Sequence, residues 1–276
     1  MATATVAKES QEHARAVPQV SDNLVYWFDW YLQRYFPKHF HAFAVSNTEI
    51  AATIPPESPL IVYINHASWW DPLVALVLAR RFFPEHSLYA PIDADALKKY
   101  PFMQRLGFFP VQQDSLHGAG QFLKTARTIL HLPGSSIWLT PEGQFADPRS
   151  RDLAFQPGLA HLASKLDRGV LLPVAVEYPF WEERLPEVLV RFGEPIDVTK
   201  QPNIDKEAWQ KILEQGLRDA QVDLESDSLA RRSEAFEVLI SGRTGVFWLY
   251  DAMRHVRSWF TGQRVDRTHG EKLQGR

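Results

Sequence analysis

The run PLIVYI (Pro59 to Ile64) passes through NHASWWDP (Asn65 to Pro72) straight into LVALVLARR, and few folds accommodate that order. The first stretch is apolar and β-prone. The third has helical apolar spacing, and Asp71-Pro72 before it offers an N-cap and a Pro at the first helical position. His66 therefore falls where a strand hands over to a helix. Such a turn can bring a residue at the helix start within hydrogen-bond reach of the imidazole, which leaves the other ring nitrogen free to take a proton. A lone loop His is usually structural and a lone Asp here usually a helix cap, so a base at His66 oriented by Asp71 needs support from the rest of the chain.

The periodicity beyond this turn predicts an alternation: strand 59–64, helix 72–82, strand 87–91, helix 95–106, strand 108–112, helix 117–132, strand 135–140, helix 157–167, and strands at 170–177 and 187–193. This pattern predicts an α/β fold with a mixed, largely parallel sheet flanked by helices, and such sheets place active groups at strand ends. His66 and Glu142 both follow strands, so they are expected to face one cleft. From about 205 the chain reads as helical, with Trp209, Ile212, Leu213 and Leu217 on one packing face. The expected organisation is a disordered tail over 1–21, an aromatic amphipathic segment over 22–50, the catalytic domain over 51–222 and a helical extension over 223–276.

Several blocks in order resemble the glycerolipid acyltransferase family, which includes glycerol-3-phosphate and lysophosphatidate acyltransferases. The family pattern Asn-His-x-Ser-x-x-Asp is matched by Asn65, His66, Ser68 and Asp71. A basic helix ending in Gly before a short strand resembles ALKKYPFMQRLGFFPV (Ala96 to Val111), and Pro-Glu-Gly after a strand resembles SSIWLTPEG (Ser135 to Gly143). VLLPVAVEY (Val170 to Tyr178) and VLVRFGEPI (Val188 to Ile196) resemble the later strands, so the likeness covers roughly residues 55–200. It implies acyl transfer by a single base: His66 deprotonates an acceptor hydroxyl, Asp71 fixes the ring, and backbone amides with Ser68 stabilise the oxyanion. By the same resemblance Ser68, Glu142 and Gly143 belong to the acceptor site, and no metal is required. Trp69 and Trp70 could line an acyl tunnel or be ordinary core aromatics. The thioester donor, acyl-CoA or acyl-carrier protein, would be a co-substrate; no bound cofactor is expected.

The departures bear on the acceptor. Where the family commonly carries arginines for the acceptor's phosphate, this chain has Gln113 in the second block and Gln144-Phe145 after Glu-Gly, and Gln156 stands before Gly158 in FQPG. An amide cannot replace the bidentate fork of a guanidinium. Arg149 and Arg151, with Lys98, Lys99 and Arg105, could form a displaced phosphate site; the favoured acceptor is one without that phosphate, such as a glycosylated or hydroxylated isoprenoid. Lysophosphatidate acylation remains an alternative. Others are a hydrolase, which lacks its Gly-x-Ser-x-Gly elbow here, and a non-enzymatic lipid binder.

A net charge of −3 argues against a nucleic-acid partner, and the absence of cysteine excludes disulfides, thiolate metal sites and a cysteine nucleophile. No apolar h-region opens the chain, and no stretch approaches the roughly 18 apolar residues that span a bilayer. Membrane contact is therefore expected to be peripheral, on the cytoplasmic inner face. Two segments could make it: LVYWFDWYLQRYFPKHFHAF (Leu24 to Phe43), read evenly as membrane or core, and GVFWLYDAMRHVRSWF (Gly245 to Phe260), read rather as core or interface.

Overall fold

The computed structural model describes residues 17–112, 115–151, 154–201 and 204–242. β2 (Leu60–Ile64) is buried along its whole length because it lies in the middle of the sheet, between β5 (Ser135–Leu139) and β6 (Val170–Glu177), parallel to both. Such a strand needs apolar side chains on both faces, which is why PLIVYI lacks polar alternation. Leu60, Val62 and Ile64 enter one core with Val74, Val77 and Leu78 of α2 (Asp71–Phe82) and Leu32 and Phe36 of α1 (Asp22–His39). Ile61 and Tyr63 enter the opposite core. There they meet Ile129 of α4 (Leu116–Leu130), Leu159 of α5 (Gly158–Ala163), and Leu213 and Leu217 of α6 (Lys206–Leu229).

Among the described residues the sheet has nine strands in the order β4 (Phe108–Val111), β3 (Ser87–Asp93), β5, β2, β6, β7 (Glu187–Phe192), β1 (Ala42–Ser46), β9 (Glu237–Ser241), with β8 (Ile196–Asp197) beside β6. β3 and β4 extend the parallel part, and β7 runs antiparallel to β6. The fold is thus α/β with a largely parallel sheet flanked by helices. The parallel strands β4, β3, β5, β2 and β6 all end on one edge, so Val111, Asp93, Leu139, Ile64 and Glu177 open onto the same side.

Both flanks of the domain differ from the sequence expectation. The aromatic segment 22–50 is not a single amphipathic unit: α1 stops at His39, and β1 (Ala42–Ser46), fully buried, pairs in parallel with β7. The region beyond 222 is not wholly helical either. After α6 ends at Leu229, β9 (Glu237–Ser241) returns antiparallel to β1. Within the expected tail, Val17 and Val20 pack on the second core, and the Ser21 amide donates to the Arg105 carbonyl at 2.9 Å. The helix expected over 95–106 divides into α3 (Ala94–Lys99) and a 3₁₀ turn (Pro101–Leu106), because Pro101 cannot donate the hydrogen bond that would continue it. Gly107 ends that turn at φ 102, where a Cβ would lie 2.0 Å from the Leu88 carbonyl oxygen. The segment Gly245 to Phe260, Gln113 and Asp114 lie outside the described residues. Among the described residues no helix is long and apolar enough to cross a membrane.

Candidate active site

At the exit of β2, Asn65 is buried and makes a two-way clasp on Val176 of β6: its amide donates to the Val176 carbonyl at 3.1 Å and its oxygen accepts the Val176 amide at 2.7 Å. The chain is therefore fixed just before His66. Asp71, 1% exposed, then turns its carboxylate back toward the ring. Its Oδ2 lies 2.7 Å from His66 Nδ1 and accepts the Ser68 amide at 3.0 Å, while Oδ1 accepts the Tyr178 hydroxyl at 2.7 Å. An ionised carboxylate only accepts, so Nδ1 carries the proton and Nε2 is left as the basic nitrogen. Nε2 has no hydrogen-bond partner among the described residues, and the His66 side chain is one-fifth exposed, with 20% of its surface open to solvent.

Burial, and after it the charge and hydrogen bond of Asp71, push the Tyr178 hydroxyl well above the usual phenol range. It stays a neutral donor. Asp71 is the first residue of α2 and not its cap, since Trp70 occupies that position and no side chain caps the helix. The carboxylate expected at a helix end is instead committed to the imidazole and its turn.

Ser68 is tied into the turn. Its amide is spent on Asp71 and its hydroxyl accepts the Trp70 amide at 3.4 Å, so it shapes the turn. The amides of Ala67 and Trp69 take no partner among the described residues.

Trp70 packs among Tyr35, Phe36, His39 and Phe40 around the end of α1, with ring centroids 4.8–5.9 Å away. Trp69 stacks on it at 4.7 Å and is 58% exposed. Of this pair, read from the sequence as tunnel lining or core aromatics, one ring is packed and the other lies at the surface.

Glu142 follows β5 and is buried. One carboxylate oxygen accepts the His66 amide at 2.9 Å; the other accepts Arg218 Nη1 at 3.2 Å. It thereby holds the backbone of His66. Gly143 makes the reversal at φ 71, where a Cβ would come within 3.0 Å of Gln156 Cγ. Beyond it the Ala146 amide donates to the His66 carbonyl at 2.9 Å. The Phe145 ring, in the place of a family arginine, lies 4.2 Å from the imidazole centroid.

Arg149 and Arg151, the candidates for a displaced phosphate site, both face carboxylates. Arg149 Nε and Nη2 donate to the two oxygens of Glu177 at 3.3 and 3.1 Å, and that hydrogen bond foremost raises the arginine's pKa further. Arg151 Nη2 donates to Glu225 at 2.8 Å. Tyr178 and Arg218 are the site residues that the sequence reading missed. Tyr178 ended a recognised block, whereas Arg218 sits on a helix read only for its apolar face.

Among the described residues no cluster of His, Asp and Glu could hold a metal ion. A His–Asp pair with a basic nitrogen at the strand-end edge of a largely parallel sheet has the chemistry to take a proton from an attacking hydroxyl. Residues 44–177 match the model of the Acyltransferase family. That segment is of the acyltransferase type, and the match supports a general acyltransferase activity. No curated protein matches the sequence.

Proposed function

We propose that the protein moves a fatty acyl group from a thioester, acyl-CoA or acyl-carrier protein, to a hydroxyl of a lipid-like acceptor lacking the phosphate that the family commonly binds. The acceptor oxygen attacks the thioester carbonyl as His66 Nε2 takes its proton. The C–S bond then breaks, and the same proton passes from the imidazolium to the departing thiolate, giving an ester and a thiol. Asp71 keeps the ring in the required tautomer and steadies its charge. The amides of Ala67 and Trp69 are the donors in the turn available to the oxyanion.

The observation that carries the acceptor assignment is the pairing of Arg149, Arg151 and Arg218 with Glu177, Glu225 and Glu142. A phosphomonoester would have to displace a carboxylate to use any of them. Three amides, Gln104, Gln112 and Gln121, also line a cavity of about 450 Å³ at the end of β4, with Leu97, Pro101 and Pro110 beside them. Amides of this kind suit hydroxyl groups.

The acceptor is reached from a lipid surface on the cytoplasmic face, where both donors occur. Supporting this, Tyr26, Trp27, Trp30 and Tyr31 of α1 are exposed. A ladder of rings, Trp27, Tyr31, Tyr35, Trp70 and Trp69, runs from that face to the turn after His66 at centroid spacings of 4.7–6.1 Å. Trp and Tyr in such positions favour the headgroup boundary.

The test is competition between lysophosphatidate and neutral or sugar-bearing hydroxylated lipids, read as thiol release from acyl-CoA. The neutral class should be acylated in preference. If lysophosphatidate wins, and Arg149→Ala or Arg151→Ala selectively raises its KM, the acceptor assignment fails. Thiol release without any acceptor would instead indicate a hydrolase.

A further inference from the structure

We infer that α6, which lies outside the family-matched segment, is part of the catalytic apparatus: Arg218 is a positioning residue that sets His66 through Glu142. This rests on the reading of His66 as the base.

Gln210, Glu214, Arg218, Gln221 and Glu225 recur at intervals of three and four, so they form one polar stripe beside the apolar face of α6. Each member binds the described part of the loop between β5 and α5. Gln210 donates to the Phe155 carbonyl at 3.0 Å and Glu214 accepts the Phe155 amide at 3.1 Å. Gln221 donates to the Pro148 carbonyl at 2.9 Å, and Glu225 accepts Arg151. Arg218 occupies the centre. Its guanidinium lies 5.7 Å from the Phe155 ring centroid, and Nη1 serves both Glu142 and the Gln221 oxygen, at 3.2 and 2.9 Å.

The loop so clamped is the one that grips the backbone of His66 on both sides, through Glu142 on its amide and Ala146 on its carbonyl. Asp71 orients the imidazole from one direction, and the Arg218–Glu142 pair fixes the peptide that carries it from the other. The side chains of this pair are 13% and 2% exposed. Removing Arg218 would strand a buried carboxylate and loosen its hold on the His66 amide. Displacement of a base by a fraction of an ångström to 1 Å costs on the order of 10- to 100-fold in turnover.

Arg218→Met in the full chain should therefore lower kcat on the order of 10- to 100-fold while the donor KM changes less than threefold. The bonds to Glu142 and to Gln221 start from the same Nη1, so a lysine ammonium can supply these two, and Arg218→Lys should recover most of kcat. Gln215→Ala, on the exposed side of α6, should match wild type. With histidine-labelled protein and no substrate, the His66 ring resonances should move in Arg218→Met and return in Arg218→Lys.

Should Arg218→Met not fold, Glu142→Gln combined with Arg218→Met removes both charges together, and it should lose no more kcat than Glu142→Gln alone. The inference is overturned if Arg218→Met turns over within twofold of wild type, if Arg218→Lys fails to recover kcat, or if the losses at 142 and 218 multiply. A wild type that transfers no acyl group would sink the functional reading instead. The His66 spectra would still decide the positioning.

Discussion

Asp71→Asn separates two ways in which the carboxylate could serve His66, because the structure dictates how the amide must settle. At the Oδ2 position two donors converge, His66 Nδ1–H and the Ser68 amide. The backbone amide cannot turn round, so an asparagine must place its oxygen there and its NH₂ group toward the Tyr178 hydroxyl, which can accept as well as donate. The proton then stays on Nδ1 and Nε2 remains a base. What is lost is charge. A hydrogen bond to a charged partner contributes about 1.5–3 kcal/mol against about 0.5–1.5 for a neutral one, a difference near 1–1.5 kcal/mol or about tenfold in rate. If the amide nitrogen faced His66 instead, the tautomer would invert, and the expected loss is of order 10⁴, the size seen for that error in a serine protease triad. The assay is thiol release under saturating acceptor, with ¹⁵N spectra of His66 reporting the tautomer. A loss near 10⁴-fold, or a proton found on Nε2 in the neutral ring, would refute the argument from Ser68. Asp71→Ala is a different perturbation: it strands three donors, at about 1–3 kcal/mol each, and should cost about 3 kcal/mol or more of stability.

His66→Ala should abolish acceptor-dependent thiol release with little change in denaturation midpoint, since the side chain is partly exposed; activity near wild type would remove His66 as the base. Trp27→Ala with Trp30→Ala should weaken binding to neutral vesicles by on the order of tenfold or more, from loss of apolar area, with little effect of salt; loss of binding at moderate salt instead would assign the contact to basic residues. The buried pair His41 and Glu187, 2.7 Å apart, should make stability depend on pH. Burial opposes the charge on His41, but the hydrogen bond and charge of Glu187, with Glu183, outweigh it, and the pKa rises above the ordinary 6.5. A raised folded-state value means that the stabilisation is fully present below pH 6.5 and is lost as pH climbs through the folded pKa. The urea midpoint should fall across that window in wild type and less in His41→Gln; equal slopes would show that the pair is not responsible.

The central turn was legible in the sequence because three local signals coincide there: an apolar run buried on both faces, Asp-Pro at a helix start, and helical apolar spacing. β1 was hidden because AFAVS continues an aromatic helix without a break in hydrophobicity. β9, EVLIS, was obscured by the long helix before it, and β8 is too short to show periodicity. At the site, the His66–Asp71 contact lies five positions apart in the chain and could be anticipated from a single turn. The Tyr178 and Arg218 contacts span 107 and 76 positions, and no local pattern fixes such a pairing. The polar stripe on α6 was the available signal for Arg218: five hydrogen-bonding side chains at helical spacing need a polar surface to face. For Arg149 and Arg151 the residue type suggested phosphate, but the carboxylates that pair with them come from β6 and α6, distant in sequence.

The position of β1 also governs the order in which the domain can assemble. Among the described residues its partners are β7 and β9, and His41 meets Glu187 across 146 positions of chain. As the polypeptide leaves the ribosome, this first strand has no neighbour until most of the domain has been made, and closing so long a span is slow. During that interval α1, with Leu32 and Phe36 not yet covered, presents its apolar face beside its outer aromatics. A nascent chain in this condition is a substrate for chaperones and prone to early adsorption onto lipid. A truncated gene ending at residue 177 would leave β1 permanently unpaired, so its product should accumulate as aggregate even though it retains His66 and Asp71.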